Sequence, residues 1–164
     1  MLAIAMNGEP LPAAHGYPVR IVVPGLYGYV SATKWVSELE LTRLEDFDGY
    51  WIPRGWSRLG PVKTMARIDT PRSGSDRMGE VVIGGVAWAV HRGIGRVQLR
   101  VDDGECLDAE LGGAPSSDTW AQWSYRWSGA PGSHAIEARA IDRDGEIQPA
   151  EPAASAPNGA QGYH

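Results

Sequence analysis

The sequence predicts a mainly β protein whose larger part is a β-sandwich. The chain has 164 residues, and its 21 Gly and 12 Pro cut it into short segments. After residue 60, about seven short runs alternate apolar and polar residues between turn signals, the pattern of half-buried strands. No stretch holds the helical period long enough for a core helix. At 43% hydrophobic and 21% charged residues the composition is that of an ordinary globular chain. Its length suffices for one domain, or for one domain and part of another.

From the N-terminus, Met1 to Met6 is apolar but lacks a basic start and is too short for a signal peptide. It reads as the end of a strand or helix whose beginning is missing. Asn7-Gly8 is turn chemistry, and Pro10 and Pro12 forbid a regular element beside it. Arg20-Ile-Val-Val23 is a short β-branched run, expected as a buried strand, which Pro24-Gly25 stops. Trp35 to Leu41 alternates and is expected as a half-buried strand. Phe47, Tyr50, Trp51 and Trp56 lie in a loop broken by Gly49, Pro53 and Gly55, expected to cover a core edge.

Gly60-Pro61 and Pro71 to Asp76 are linker or turn material. Between them Val62 to Ile68 alternates as a first strand. Glu80 to Trp88, Arg96 to Val101, Cys106 to Leu111, Gln122 to Trp127 and His134 to Ile141 follow as strands. Asp102-Asp103-Gly104, Pro131-Gly132 and Asp142 to Gly145 are the turns between them. Val97, Leu99, Val101 and Trp123, Tyr125, Trp127 are expected to face the core. From Pro149 the chain is rich in Ala, Pro and Gly and reads as an irregular tail. The expected divisions are 1–60, 61–150 for the sandwich, and 151–164 for the tail.

Several function classes fall away. A net charge of -5 leaves no basic stripe for nucleic acid. No run approaches the ~18 apolar residues that a membrane span needs. Cys106 is the one cysteine, so no internal disulfide forms; it reads as a small buried hydrophobe. His91, His134 and His164 lack metal-site spacing and read as structural or surface histidines. Asp102, Asp103, Asp142 and Asp144 fall in turns, where Asp serves the backbone.

One segment carries chemistry. His15 and Arg20 flank the short strand, and the loop after it holds Gly25, Gly28, Ser31, Thr33 and Lys34. Such a loop brings backbone N–H groups, two hydroxyls and an ammonium near an anion, which suits a phosphate-bearing ligand. It is neither a Walker loop nor a G-x-G-x-x-G turn. An ordinary strand and turn with surface charges is the competing reading of the same residues.

The stretch Ala-Met-Asn-Gly-Glu-Pro-Leu-Pro, then His15-Gly-Tyr-Pro-Val-Arg20, Val-Val-Pro-Gly25 and Lys34-Trp35, resembles the pterin-binding segment of the sulfite oxidase family of molybdopterin oxidoreductases. The resemblance implies that His15, Arg20, Thr33 and Lys34 contact molybdopterin, with Ser31 and Ala32 as neighbours. The loop is one residue longer than in animal members, which leaves the choice among Ser31, Ala32 and Thr33 open. Val86-Ala-Trp88, Val97 to Gly104, Trp120 to Trp127 and Ala140 to Pro149 resemble the immunoglobulin-like dimerisation domain of the same family, in the family's order. The implied fold is an immunoglobulin-like β-sandwich preceded by an incomplete fragment of the α+β molybdopterin-binding domain.

The family holds molybdenum through one cysteine thiolate and two pterin sulfurs, and Cys106 fits none of that motif. Trp56 stands where sulfite oxidases carry a Tyr, and Pro157 to Ala160 has no Arg where they carry one for the anion. A desolvated anion needs a cationic partner, so both departures speak against sulfite. The resemblance thus implies the C-terminal part of a two-electron, oxygen-atom-transfer oxidoreductase, with no metal ligand and no catalysis by this chain alone. It also implies a homodimer through the sandwich and a missing N-terminal catalytic half as partner. The alternative is a stand-alone, non-catalytic β-sandwich dimerisation or interaction module. The Gly49-Tyr-Trp-Ile-Pro-Arg-Gly-Trp56 loop resembles bacterial relatives, which can carry membrane anchors upstream; the compartment stays open between soluble, anchored and extracytoplasmic.

Overall fold

A computed structural model describes residues 1–72 and 79–164. The turn expected over Pro71 to Asp76 lies largely outside the described residues. The chain divides into two compact units. One holds Met1–Val62 with Ser155–Gly159; the other holds Lys63–Ala154 with Ala160–His164.

In the first unit regular structure is sparse. Strand β1 (Leu2–Ala3) pairs antiparallel with β4 (Arg20–Ile21), and β2 (Ala5–Met6) pairs with β3 (Glu9–Pro10). Asn7 and Gly8 turn that hairpin with φ of 54° and 83°, the conformation a two-residue hairpin favours. Pro10 therefore does sit in a strand, contrary to expectation. A two-residue edge has room for a residue without an N–H. The run from Arg20 to Val23 is shorter and less buried than expected: two residues are strand, and Val23 is exposed. A single helical turn, α1, spans Gly28–Ser31. Trp35 to Leu41 forms no strand, and Leu41 is 100% exposed. Alternation supplies a face but no ladder: Val36 N–H donates to the Val19 carbonyl, yet the segment joins no sheet among the described residues.

The second unit is a sandwich of two antiparallel sheets. Strands β5 (Met65–Thr70), β6 (Val81–Trp88), β10 (Ala121–Trp127) and β9 (Glu110–Leu111) form one, in the order β5-β6-β10-β9. Strands β11 (Ile136–Asp142), β7 (Ile94–Val101) and β8 (Leu107–Asp108) form the other, in the order β11-β7-β8. The segment expected as one strand over Cys106 to Leu111 is two. It pairs with β7 through Leu107–Asp108, then switches sheets and pairs with β10 through Glu110–Leu111.

Period-2 patterning decides what these sheets bury. Ala66, Ile83, Ala87 and Trp123 from one sheet meet Val97, Leu99, Ala138 and Ala140 from the other in one core. Val101, Tyr125 and Trp127 pack on its margin, so all six expected residues turn inward. Ile83, Val97 and Leu99 are fully buried, each contributing roughly 1.5–3 kcal/mol. At the bulge between Ile68 and Thr70, a Cβ on Gly85 would lie 1.8 Å from the Arg67 carbonyl oxygen, so the close strand approach requires glycine.

Cys106 is exposed, which corrects the reading of a buried hydrophobe. It precedes the short strand β8, outside the alternating core pattern. Residues 151–164 hold no strand, yet their backbone is tied down. Ala138 and His164 exchange N–H···O=C bonds of 2.9 and 3.2 Å. Gln148 is buried: its Oε1 accepts from Ala66 N–H at 2.7 Å and Ala140 N–H at 3.0 Å, and its Nε2 donates to the Gly162 carbonyl at 2.6 Å. One side chain thereby links both sheets and the C-terminal segment.

Candidate functional site

The site is built on one tight turn. Ala13–His15 forms a single 3-10 turn that ends at Gly16 with φ 113°. A Cβ there would meet Arg20 Cβ at 3.0 Å and Lys34 Cβ and Cγ at 3.2 Å. Glycine is required twice over, for the left-handed backbone and for the space. The missing side chain lets two cationic stems lie side by side. Ile21 N–H donates to the Thr33 carbonyl at 2.8 Å and Val36 N–H to the Val19 carbonyl at 2.9 Å, which fixes the two segments against each other.

Three successive carbonyls of the turn each take one arm. Ala13 O accepts from Trp35 Nε1 at 2.7 Å, Ala14 O from Lys34 Nζ at 3.1 Å, and His15 O from Arg20 Nη1 at 3.2 Å. Arg20 Nε is buried and has no hydrogen-bond partner among the described residues. A buried donor without an acceptor costs about 1–3 kcal/mol, more when charged, so an oxygen acceptor bound here would recover that cost. Lys34 Nζ also rests 4.4 Å from the centroid of the Trp35 ring. Trp35 has φ 56°, a rare conformation for a bulky residue and one that costs of order 1–3 kcal/mol.

The expected site residues do not all converge. Arg20 and Lys34 meet across Gly16, and His15 contributes its carbonyl while its ring stays exposed. Ser31 is buried, and its hydroxyl donates within its own turn to the carbonyls of Leu26 and Tyr27, at 3.2 and 3.1 Å. Thr33 is exposed and holds Ile21 through its carbonyl. Sequence reasoning passed over Trp35 and the carbonyls of Ala13 and Ala14. The one signal for them was the Lys-Trp pair downstream of a Gly-containing turn.

The aromatic loop has its own logic. Tyr29 and Trp56 pack with centroids 4.8 Å apart, and Trp51 meets Trp56 at 6.2 Å. Tyr29 Oη donates to the Ser57 carbonyl at 3.0 Å, and Ser57 N–H to the Pro157 carbonyl at 3.0 Å. Ser57 Oγ donates to Asn158 Oδ1. The Pro157–Asn158 segment therefore lies beside the loop that carries Trp56. Both nearby guanidiniums serve the loop itself. Arg54 donates to the Tyr50 carbonyl at 2.6 Å and lies over that ring, while Arg58 holds Leu44, Phe47 and Asp48. Phe47 and Tyr50 are exposed, so these rings do not cover a core edge as expected. Trp56, half-buried against Tyr29, comes nearest to doing so.

Other polar groups are structural. Asp142 is buried; it accepts from Arg92 Nε at 2.6 Å and from the amides of Asp144 and Glu146 at 3.1 and 2.9 Å. Burial pushes its carboxyl up, but the Arg92 hydrogen bond and the Glu146 amide outweigh this and hold it below the ordinary Asp value. His91 pairs with Asp118 at 2.8 Å, and His164 Nδ1 accepts from Ile68 N–H at 3.2 Å. No group of three His, Cys, Asp or Glu among the described residues could hold a metal ion. A cleft of about 490 Å³ lies against the four-stranded sheet, beside Val82, Gly84, Gln122 and Ser124. None of His15, Arg20, Ser31, Thr33 and Lys34 lines it. Among the described residues, no helix is long and apolar enough to cross a membrane.

Comparison with known proteins bears on the same segments. The family described as "Oxidoreductase molybdopterin binding domain" matches residues 1–51. Mitochondrial sulfite oxidase of Homo sapiens is 30% identical over 178 residues, covering 91% of this chain and 32% of the relative. The Rattus norvegicus protein is 33% identical over 149 residues, covering 77% and 26%. The sulfane dehydrogenase SoxCD from Paracoccus pantotrophus superposes with a TM-score of 0.75 at 27% identity, over 99% of this chain and 46% of that one. The chain thus spans about a third of the length of the sulfite oxidases it matches.

Proposed function

The chain belongs to the sulfite oxidase family of molybdopterin oxidoreductases, and from that premise we propose that its first unit supplies one wall of a molybdopterin site. The observation that carries this is Arg20 Nε, buried and without a partner beside Lys34 and the side-chain-free Gly16. Molybdopterin is anionic and rich in acceptors, so this donor set fits it. Arg20 and Lys34 would hold its anionic part as charged donors already held by the His15 and Ala14 carbonyls. His15 would contribute from the exposed edge; of the 31–33 stretch Ser31 is buried while Ala32 and Thr33 are exposed, and of those two Thr33 carries the hydroxyl. When bound in the complete enzyme, the cofactor supplies two-electron, oxygen-atom-transfer redox chemistry at molybdenum. Here the residues bind and orient; none of them ligates the metal.

The second unit we read as the immunoglobulin-like domain through which two copies pair. The strand orders β5-β6-β10-β9 and β11-β7-β8 support the immunoglobulin-like architecture; the pairing of two copies comes from the family resemblance. Trp56 and Asn158 supply neither a phenol nor a cation, and Arg54 and Arg58 are engaged within their loop. We therefore infer a substrate other than sulfite.

The test has two steps. Sequencing the reading frame upstream of Met1 comes first. A continuous frame encoding a cysteine-bearing cofactor domain supports the reading; a stop codon and ribosome-binding site there favour a stand-alone interaction module. In the complete enzyme, Arg20→Gln with Lys34→Gln should then cut molybdopterin content at least about tenfold, the equivalent of losing about 1.4 kcal/mol of binding. Unchanged cofactor content in the double variant would sink the assignment.

A further inference from the structure

We propose that Trp35 is a positioning residue that presents the Lys34 ammonium to the anion bound at Arg20; this rests on the anion-binding reading of the first unit. In extended backbone, neighbouring side chains point to opposite faces. The positive φ at Trp35 breaks that rule, and Lys34 Nζ and the indole come together with 4.4 Å between ammonium and ring centroid. The indole is itself fixed, because its Nε1 donates to Ala13 O at 2.7 Å. The adjacent carbonyl, Ala14 O, takes one proton of Lys34 at 3.1 Å, and the next, His15 O, takes Arg20 Nη1. The Ala14 carbonyl and the ring face hold the Lys34 ammonium, and its stem, like that of Arg20, lies against the bare Gly16. Pre-fixing a rotamer-rich cation lowers what its ordering costs on binding. An indole half open to solvent, in a strained backbone, is otherwise poorly placed: it is 57% exposed and contributes little to a core.

The test uses the purified chain, isotope-labelled, titrated with inorganic pyrophosphate and followed through the amide signals of Gly16, Arg20 and Lys34. Trp35→Phe keeps a ring face and loses the anchor to Ala13. Trp35→Gly keeps the left-handed turn and loses the ring. Expected weakening is about threefold for Trp35→Phe and about tenfold for Trp35→Gly, near that of Lys34→Gln. In a Lys34→Gln background, Trp35→Gly should weaken binding no further, because two residues acting as one unit are non-additive. A structural role alone would weaken both backgrounds equally, and that result overturns the proposal. So does wild-type affinity in Trp35→Gly with its amide spectrum intact. If the native chain shows no pyrophosphate-dependent shift at Gly16, Arg20 or Lys34, the anion-binding reading itself fails, and the role of Trp35 with it.

Discussion

At the scale of single residues, His134 shows how hydrogen-bond geometry favours one protonation state over another. Its Nδ1 lies 2.9 Å from an Asp102 carboxylate oxygen and its Nε2 lies 2.8 Å from the Ala130 carbonyl oxygen. Both partners accept only, so the doubly protonated ring can satisfy both contacts and the neutral ring only one, which favours the imidazolium. The Asp102 hydrogen bond, then that to Ala130, hold the His134 pKa above its usual value; the His134 hydrogen bond, then the Ala135 amide, hold Asp102 below its own. A raised histidine value stabilises the fold fully below the unfolded pKa and stops doing so as pH rises through the folded one. The lowered Asp102 value contributes above the ordinary carboxylate range and is lost as pH falls through it. The pair is therefore whole between these limits, and Ala135 N–H, which donates to Asp102 at 3.0 Å, should exchange faster above the folded His134 pKa. NMR titration of the His134 ring checks this. A midpoint at or below 6.5 would contradict it.

At the scale of elements, Asp142 to Gly145 was legible as a turn, yet Asp142 and Gln148, three residues beyond that turn, are buried side chains that tie the sandwich together. Gln148 Oε1 accepts from a β5 amide and a β11 amide at once. Replacing Gln148 with Ala leaves two buried N–H groups unpaired, at roughly 1–3 kcal/mol each. Urea unfolding of Gln148→Ala should show a loss of roughly 2–4 kcal/mol at unchanged m-value; a loss under about 0.5 kcal/mol would mean that water replaces the amide oxygen. The strand-like Trp35 to Leu41 makes the complementary point. From Ser37 its residues alternate much as those of β7 do, but β7 has β11 and β8 to bond, whereas the 35–41 segment joins no sheet among the described residues and is held by the Val36 N–H bond to the Val19 carbonyl. Alternation reports a potential face; pairing needs a neighbour that only the fold supplies.

At the scale of the whole molecule, the two units differ in what they bury. The second has a continuous core from both sheets, whereas in the first Leu11 and Val62 are the buried apolar residues among those described. Many large apolar side chains of the first unit are exposed, Leu39, Leu41 and Leu44 among them. A fold of this kind gains from association. The homodimer we infer through the sandwich should give twice the chain mass of 17.7 kDa in light scattering. Only monomer at high concentration would count against it.

The sequence by itself determined the sandwich and the inward turn of Val97, Leu99, Val101, Trp123, Tyr125 and Trp127, and it singled out His15 to Lys34 as the segment proposed to meet an anion. These follow from local periodicity, turn chemistry and charge, which are properties of neighbours along the chain. The tertiary structure alone decided that Ser31 turns inward, that Cys106 is exposed, and that the Cys106 to Leu111 segment divides between sheets. It alone decided that the Ala14 and His15 carbonyls hold the two cationic arms while Ala13 O holds the Trp35 indole beside Lys34. Each of these depends on which backbone groups remain unpaired after folding, and that is set by contacts between residues distant in sequence.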